Sequence, residues 1–425
     1  MRRSREYSRS GAGSAGTGGA RAARARRGSA YVLVLGAAMI VAMIGVGGAI
    51  ASRAARKAAQ LDSDGAALNH AALGALRAAA GNAQNSVAWR SAAKAAAPLS
   101  LTVDGIAIST TVSDPDDADL SNDLTGRVQF LATATKGLAR RIVSMTLTPD
   151  DTLSDALTSA IHSHGDITVS AGAVLMATGR VSTNGGVNGG TIRADVAAVG
   201  AIAGTISGTQ TTLSSAFTMP SGLEARYEAI GTTIPLSSFS GRKIDKNVLG
   251  PTKNPFGSTN ALGVYVIDCG GQTFEVRDAR LNCTLVLKNC SKLTLTSGVL
   301  WTAPRADWPL VICSGPIHSD MVAANLSEVA ANTNFNPSSM AYDGVTDSDK
   351  SDSYPSMLRG IVYSASDFSI NSGALTLEGA AILGGEVKVS GTGSLRIRLK
   401  CDSAPPGFAK REFVADLASL ARVVE

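Results

Sequence analysis

The chain has 425 residues, 44% hydrophobic, 4% aromatic and 17% charged, which leaves room for roughly three domains, is enough to bury a core and excludes wholesale disorder. Charge is unevenly spread: the first 60 residues carry 11 of the 39 Lys and Arg but only one of the 34 acids, Glu6, so the remainder is mildly acidic. A basic excess confined to one arm beside an apolar run points to a membrane rather than nucleic acid, and 45 Gly with few aromatics indicate short small-residue strands, unlike a nucleotide-binding α/β enzyme.

From Ser29 to Ser52 there is no charged residue. At ~1.5 Å per residue the apolar run Tyr31 to Ile50 spans a ~30 Å hydrocarbon core, which predicts one transmembrane helix anchored by Tyr31, Leu33, Leu35, Ile40, Ile44 and Ile50. Eight arginines precede it (Arg2, Arg3, Arg5, Arg9, Arg21, Arg24, Arg26, Arg27), whereas Arg53, Arg56 and Lys57 follow. The positive-inside rule then puts the N-terminus in the cytoplasm and the bulk in the periplasm or outside the cell. The competing reading is a cleaved secretory signal with Ala49-Ile50-Ala51 as the cut; against it, the run exceeds a ~7 to 15 residue signal core and helical sequence continues through the cut. Residues 51–80 are rich in helix formers, with Leu61, Leu68, Leu73 and Leu76 on one arc, which predicts a helical stalk. Gly81-Asn82 is expected to break or kink it, residues 86–97 to resume it and Pro98 to end it.

The run Arg26-Arg27-Gly28-Ser29-Ala30, followed at once by the apolar helix, resembles the class III signal of type IV pilin-like proteins, particularly the PilX-type minor pilins of pilus and type II secretion machinery. The resemblance covers about 70 residues. It implies a prepilin peptidase cut between Gly28 and Ser29 and assembly with other pilin-like subunits through the N-terminal helix. Two positions depart from the pattern. Ser29 stands where Phe is common, and Leu33 occupies the fifth mature position, where major pilins carry Glu. A carboxylate in hydrocarbon needs a partner, in pilins a neighbour's terminal amine, and Leu33 cannot supply that contact. The departure suits a minor or membrane-retained relative rather than a major filament subunit. Gly45, Gly47 and Gly48 allow close packing of sister helices.

Residues 99–148 alternate in stretches such as Leu101 to Ile108 and Val128 to Ala134, around the acidic turn Ser113 to Asp119, which predicts a small antiparallel sheet. Residues 150–162 read as a connecting helix. Beyond them come very short apolar strands, among them Val266-Ile267, Leu285 to Leu287, Leu310 to Ile312, Ile361 to Tyr363 and Ala381 to Leu383, each followed by a second strand: Phe274 to Val276, Leu293 to Leu295, Ile317, Phe368 to Ile370 and Val387 to Val389. Most spacings are near 20 to 25 residues, about one coil of a parallel β-helix stacked at ~4.8 Å. A β-sandwich is the alternative; it usually wants longer strands and more buried aromatics. Phe413, Leu417, Leu420 and Val424 recur with helical spacing and predict a C-terminal amphipathic helix as a cap. The fold class is therefore mainly β with a long N-terminal α-helix. It comprises a basic leader (1–28), transmembrane helix and stalk (29–98), a pilin-like sheet with connecting helix (99–165), a right-handed parallel β-helix (166–403) with inserted loops near 209–262 and 321–358, and the terminal helix (404–425).

Cys269, Cys290 and Cys313 are separated by about one coil each and occupy equivalent rungs, either as a disulfide or as a reduced ladder. No CxxC pair suggests zinc, and no GxSxG elbow, phosphate loop or dinucleotide fingerprint is present. His162 and His164 lack a third ligand nearby in sequence, and the acidic loop Asp343 to Asp352 lacks EF-hand spacing and reads as solvated. No metal or cofactor is expected. The densest charged group on a coil, Asp268, Glu275, Arg277, Asp278 and Arg280, is where a carbohydrate-active β-helix enzyme of the pectate-lyase-like type would place its chemistry. The leading expectation is instead a non-enzymatic, membrane-anchored pilin-like structural or adhesive protein, with membrane lipid, sister subunits and a surface glycan or protein as partners; a secreted β-helix released by signal cleavage is a third reading.

Overall fold

The computed structural model describes residues 27–85, 99–120, 126–306 and 308–423. The protein is mainly β, with one long N-terminal helix, a small antiparallel sheet and a stack of parallel coils. It divides into two compact units, Met1–Ala67 and Leu68–Glu425.

The helix runs unbroken from Arg27 to Asn85, so the expected break at Gly81-Asn82 is absent. One glycine costs a helix only ~1 kcal/mol. That is outweighed in the same turn by burial of Ala83 and by Gln84, whose Nε2 donates to the Phe413 carbonyl at 3.3 Å. Leu68, Ala72 and Leu76 recur every four residues as a buried stripe. The expected resumption over 86–97 and stop at Pro98 lie outside the described residues.

Leu99–Val103, Ile106–Ser113, Val128–Lys136 and Ala139–Pro149 form an antiparallel meander. Val128, Phe130, Ala132 and Ala134 are buried and the residues between them half-exposed, the period of a sheet with one covered face. A fifth strand, Phe413–Val423, pairs antiparallel with Ala139–Pro149, Phe413 opposite Pro149 and Val423 opposite Ile142. This corrects the C-terminal amphipathic helix expected over 404–425. Without that strand, Ala139–Pro149 would expose a row of unpaired backbone groups, and pairing that edge outweighs helix preference. The ladder is interrupted between Asp416 and Ala421, where the Thr146 N–H donates to Ser419 Oγ at 2.7 Å.

The connecting helix over 150–162 is corrected as well. Only Ala156–Thr158 makes a 3-10 turn, and Ser159–Ser163 is a strand of the stack, flanked on both sides by parallel neighbours.

Coils of the stack supply strands to three sheet faces. In space, the first face runs Thr232–Thr233, Val264–Asp268, Thr284–Lys288, Pro309–Cys313, 361–364, 381–383, Ser159–Ser163, Arg180–Thr183, Val196–Ala198 and Gln210–Thr212, all parallel. Spatial order thus differs from chain order. Ala381 lies opposite Ile161, Val387 opposite Ile167 and Leu395 opposite Leu175. The chain enters in mid-stack at Ser159, winds to one end near 212, crosses back, re-enters at the other end at Thr232 and winds until its last coil meets its first.

Glycines mark where successive coils approach most closely. Gly165 N–H donates to the Gly385 carbonyl at 3.0 Å and Gly200 N–H to that of Gly185 at 2.8 Å. A Cβ on Gly185 would stand 2.9 Å from the Gly165 carbonyl carbon, so a side chain there would force the coils apart.

From Val264–Asp268 through Val196–Ala198 the first face is buried on both sides, and the returning segment 213–231 straps its exterior. Phe217 stacks 5.3 Å from His162, Tyr363 Oη donates to the Pro220 carbonyl at 3.5 Å, and helix Leu223–Glu228 packs on the strands at 264–268, 284–288 and 309–313. The loop expected near 209–262 is therefore corrected to a strap followed by a terminal coil, with strands Thr232–Thr233, Lys243–Asp245 and Val248–Leu249. The insert 322–356 packs Leu326, Phe335, Met340 and Tyr354 on Val248 and Leu300. The linkers on either side of the coils run together, Ala404 N–H to Asp151 O and Lys410 N–H to Thr152 O, both at 3.0 Å, and lead into neighbouring strands of the small sheet.

Candidate functional site

Two uncovered surfaces stand out among the described residues. The first is the apolar part of the helix. Residues 30–84 contain a window of mean hydropathy 2.4 with 0% of it buried, long and apolar enough to cross a membrane. Tyr31 and Leu33 are 77% and 73% exposed, and Leu35, Ile40, Ile44 and Ile50 are likewise exposed. A Cβ on Gly45, Gly47 or Gly48 would meet open space. Gly28 and Ser29 lie in the first turn of the helix, which begins at Arg27.

The second is the second face of the stack, where side chains alternate between core and solvent. Its outward column runs Lys243, Glu275, Thr294, His318, Ser369, Lys388, Thr168 and Asn188 on successive coils. Neighbouring rungs bond to one another. Thr296 Oγ1 donates to Glu275 at 2.7 Å and His318 Nδ1 lies 2.8 Å from Ser369 Oγ, while within its own strand His318 Nε2 lies 2.8 Å from Asp320. The arrangement is a polar, uncapped surface suited to multiple hydrogen bonds.

The other residues singled out in sequence have separate roles. Cys269, Cys290 and Cys313 are brought together as buried free thiols. Hydrogen bonds to Cys290 from Cys269 and Cys313 lower the Cys290 pKa, while those same contacts and burial raise its two neighbours. His162 is buried and His164 exposed, Nδ1 of the former 2.8 Å from Ser182 Oγ and that of the latter 3.2 Å from Asn184 Nδ2. The charged group disperses. Asp268 accepts from Gly270 N–H and Asn289, and Arg277 bridges Asp245 at 3.5 Å and Asp278 at 3.4 Å. Arg280 is buried and donates to the carbonyls of Phe335, Met340 and Ala341. It fastens the insert, and burial lowers its pKa.

A polar cleft of about 360 Å³ opens where Gln84, Met219, Arg226, Lys410 and Glu412 meet. Arg226 and Glu412 form a largely buried ion pair there, side chains 8% and 13% exposed, and Tyr227 Oη donates to the Pro406 carbonyl at 3.3 Å. These contacts lock the strap beneath the C-terminal linker. Sequence reading missed them because Arg226 and Glu412 meet only through the stack closure.

These elements define a mainly-β chain in which a long apolar helix precedes a small antiparallel sheet and a parallel β-helix. No family model and no curated protein matches the sequence. Among solved structures it is similar to the competence-associated pilin ComZ from Thermus thermophilus, at 11% identity and TM-score 0.33 over 78% of this chain and 87% of that one. An ice binding protein from an Antarctic biological consortium gives 12% and 0.28 over 59% and 92%. A glycosylated ice-binding protein (LeIBP) from an Arctic yeast gives 11% and 0.26 over 60% and 96%. Scores this low give none of these likenesses weight in assigning a function.

Proposed function

We propose that this chain is a membrane-anchored, non-enzymatic pilin-like protein, a minor component of a type IV pilus or type II secretion-like assembly. The carrying observation is the exposed stretch Tyr31 to Ile50, which the described chain leaves bare and which continues in one helix to the buried stripe at Leu68, Ala72 and Leu76. An exposed apolar surface of that length demands lipid or sister helices. Gly45, Gly47 and Gly48 supply the close approach, and the basic residues before the span orient the N-terminus to the cytoplasm. The open second face, with its ladder of Thr, Ser, Lys and His, is the surface for a glycan or protein ligand.

Fractionation of cells expressing the chain with a prepilin peptidase, followed by mass spectrometry of the mature N-terminus, tests this reading. A membrane-bound chain beginning at Ser29, or retained from Met1, supports it. A soluble chain beginning at or after residue 52 overturns it.

A further inference from the structure

The third face of the stack is formed by Val248–Leu249, 279–282, 299–302, 357–360, 374–379, Ser394–Leu399, Val174–Thr178 and Thr191–Arg193, all parallel. Its outer side differs between the two ends. At one end the insert covers Val248, Leu300 and Met357. At the other, Leu395 and Ile397 are buried while Arg396 and Arg398 alternate with them into solvent, Arg398 with 69% of its side chain exposed. Arg193 is exposed two coils on from Arg396, through Met176, and Arg359 stands two coils before Arg398, through Glu378. Lys400 follows, exposed, at the end of the strand.

The register sets the spacing of these charges. Coils stack at ~4.8 Å, so the two-coil pairs lie ~9.6 Å apart, and Arg396 and Arg398 are ~6.6 Å apart along one strand. On these uncovered strands the arginines meet one carboxylate, Glu378. It is already shared, with Arg359 Nε at 3.3 Å and Arg398 at 3.5 Å, which leaves Arg193, Arg396 and Lys400 without an acid partner among the described residues. The result is a row of fixed cations across successive coils, a surface that attracts a partner of opposite charge.

We propose that this row binds a linear acidic polysaccharide with a carboxylate on its repeating sugars. Successive cations on a continuous sheet offer separate contacts to an extended chain, and the guanidinium fork matches a carboxylate bidentately. Nucleic acid suits the surface less well. None of these strands carries an aromatic side chain outward for bases to stack on, and a sheet edged by further coils enters neither groove of a duplex. The row shares no residue with the membrane helix or the second face, so polysaccharide binding can fail while membrane insertion holds, and the reverse.

The test is binding of the full chain, in an uncharged detergent at low salt, to immobilised alginate, with neutral dextran as the control. Expected is saturable binding to alginate that weakens as salt rises, and none to dextran. Arg193→Gln with Arg396→Gln should weaken alginate binding at least ~10-fold, with circular dichroism spectrum and melting temperature unchanged. Arg2→Gln with Arg3→Gln removes the same charge from the N-terminal arm and should weaken it less than ~2-fold. On immobilised duplex DNA the third-face variant should lose less than it does on alginate. Absence of saturable alginate binding, undiminished binding in the third-face variant, an equal loss in the arm variant or an equal loss on duplex DNA overturns the proposal.

Discussion

The first and second faces of the solenoid are built by the same coils, yet their sequences differ in kind. On the first, Leu285-Val286-Leu287 and Ala381-Ile382-Leu383 run without a polar break; on the second, Leu293-Thr294-Leu295 and Val387-Lys388-Val389 alternate. The cause is the strap. The outer column Val266, Val286, Ile312, Tyr363, Ile382 and His162 lies beneath segment 213–231, so both sides of that sheet are dry, while the outer column of the second face meets water. A continuous apolar run in a parallel sheet therefore reports double coverage, and alternation reports a free surface.

Substitutions sharpen this contrast. The largest effect is expected from Val286→Asp, which buries an unpaired carboxylate under the strap and should cost about 4 kcal/mol or more, whereas Thr294→Asp on the open face should stay within ~0.5 kcal/mol; paired urea titrations compare them. Next is the strap lock. Glu412→Gln leaves the Arg226 guanidinium buried without its partner and should lower stability by roughly 3 kcal/mol, read as a shift of the urea midpoint.

A third expectation concerns pH. Ser182 Oγ donates to Ser159 Oγ at 2.8 Å, so His162 Nδ1–H donates to Ser182 and Nε2 is left buried without a partner. Burial first, then Arg180 and His164 nearby, lower the His162 pKa from 6.5 to about 4. Because the folded value lies below the unfolded one, the stability carried by neutral His162 is complete above about pH 6.5. It is lost as pH falls toward 4 and levels off below that. At ~1.36 kcal/mol per unit the loss is about 3 kcal/mol, and His162→Gln should flatten this part of the stability–pH curve. The smallest effect belongs to the open face, where Lys388→Ala breaks an exposed pair with Glu386 and should leave the melting temperature unchanged.

What could be read from sequence follows the same physics. Strands of the first and second faces were legible because Gly-rich or Asn-rich turns separate them. Some strands of the third face were not: in Thr273–Asn282 and Lys292–Thr302 the chain turns the corner within one strand, at Asp278 (φ 42°) with no Gly or Pro to mark it and at Ser297 (φ 59°) with only Gly298 beside it. The strand at Phe413–Val423 carried helical spacing, and only the open edge of Ala139–Pro149, more than 260 residues earlier, decides its fate. The apolar span was plain in composition, while the Arg226–Glu412 pair needed the strap brought to the C-terminal linker by the fold.

The arrangement that unites these features is the stacking of the last coil on the first, and a cysteine pair tests it most directly. Thr168 and Lys388 are register partners on adjacent parallel strands, ~4.8 Å apart and within disulfide range. Thr168→Cys with Lys388→Cys should form an intramolecular disulfide under mild oxidation, identified as one linked peptide by mass spectrometry. Recovery of both residues as free thiols, as a stack wound in simple chain order would give, contradicts the account.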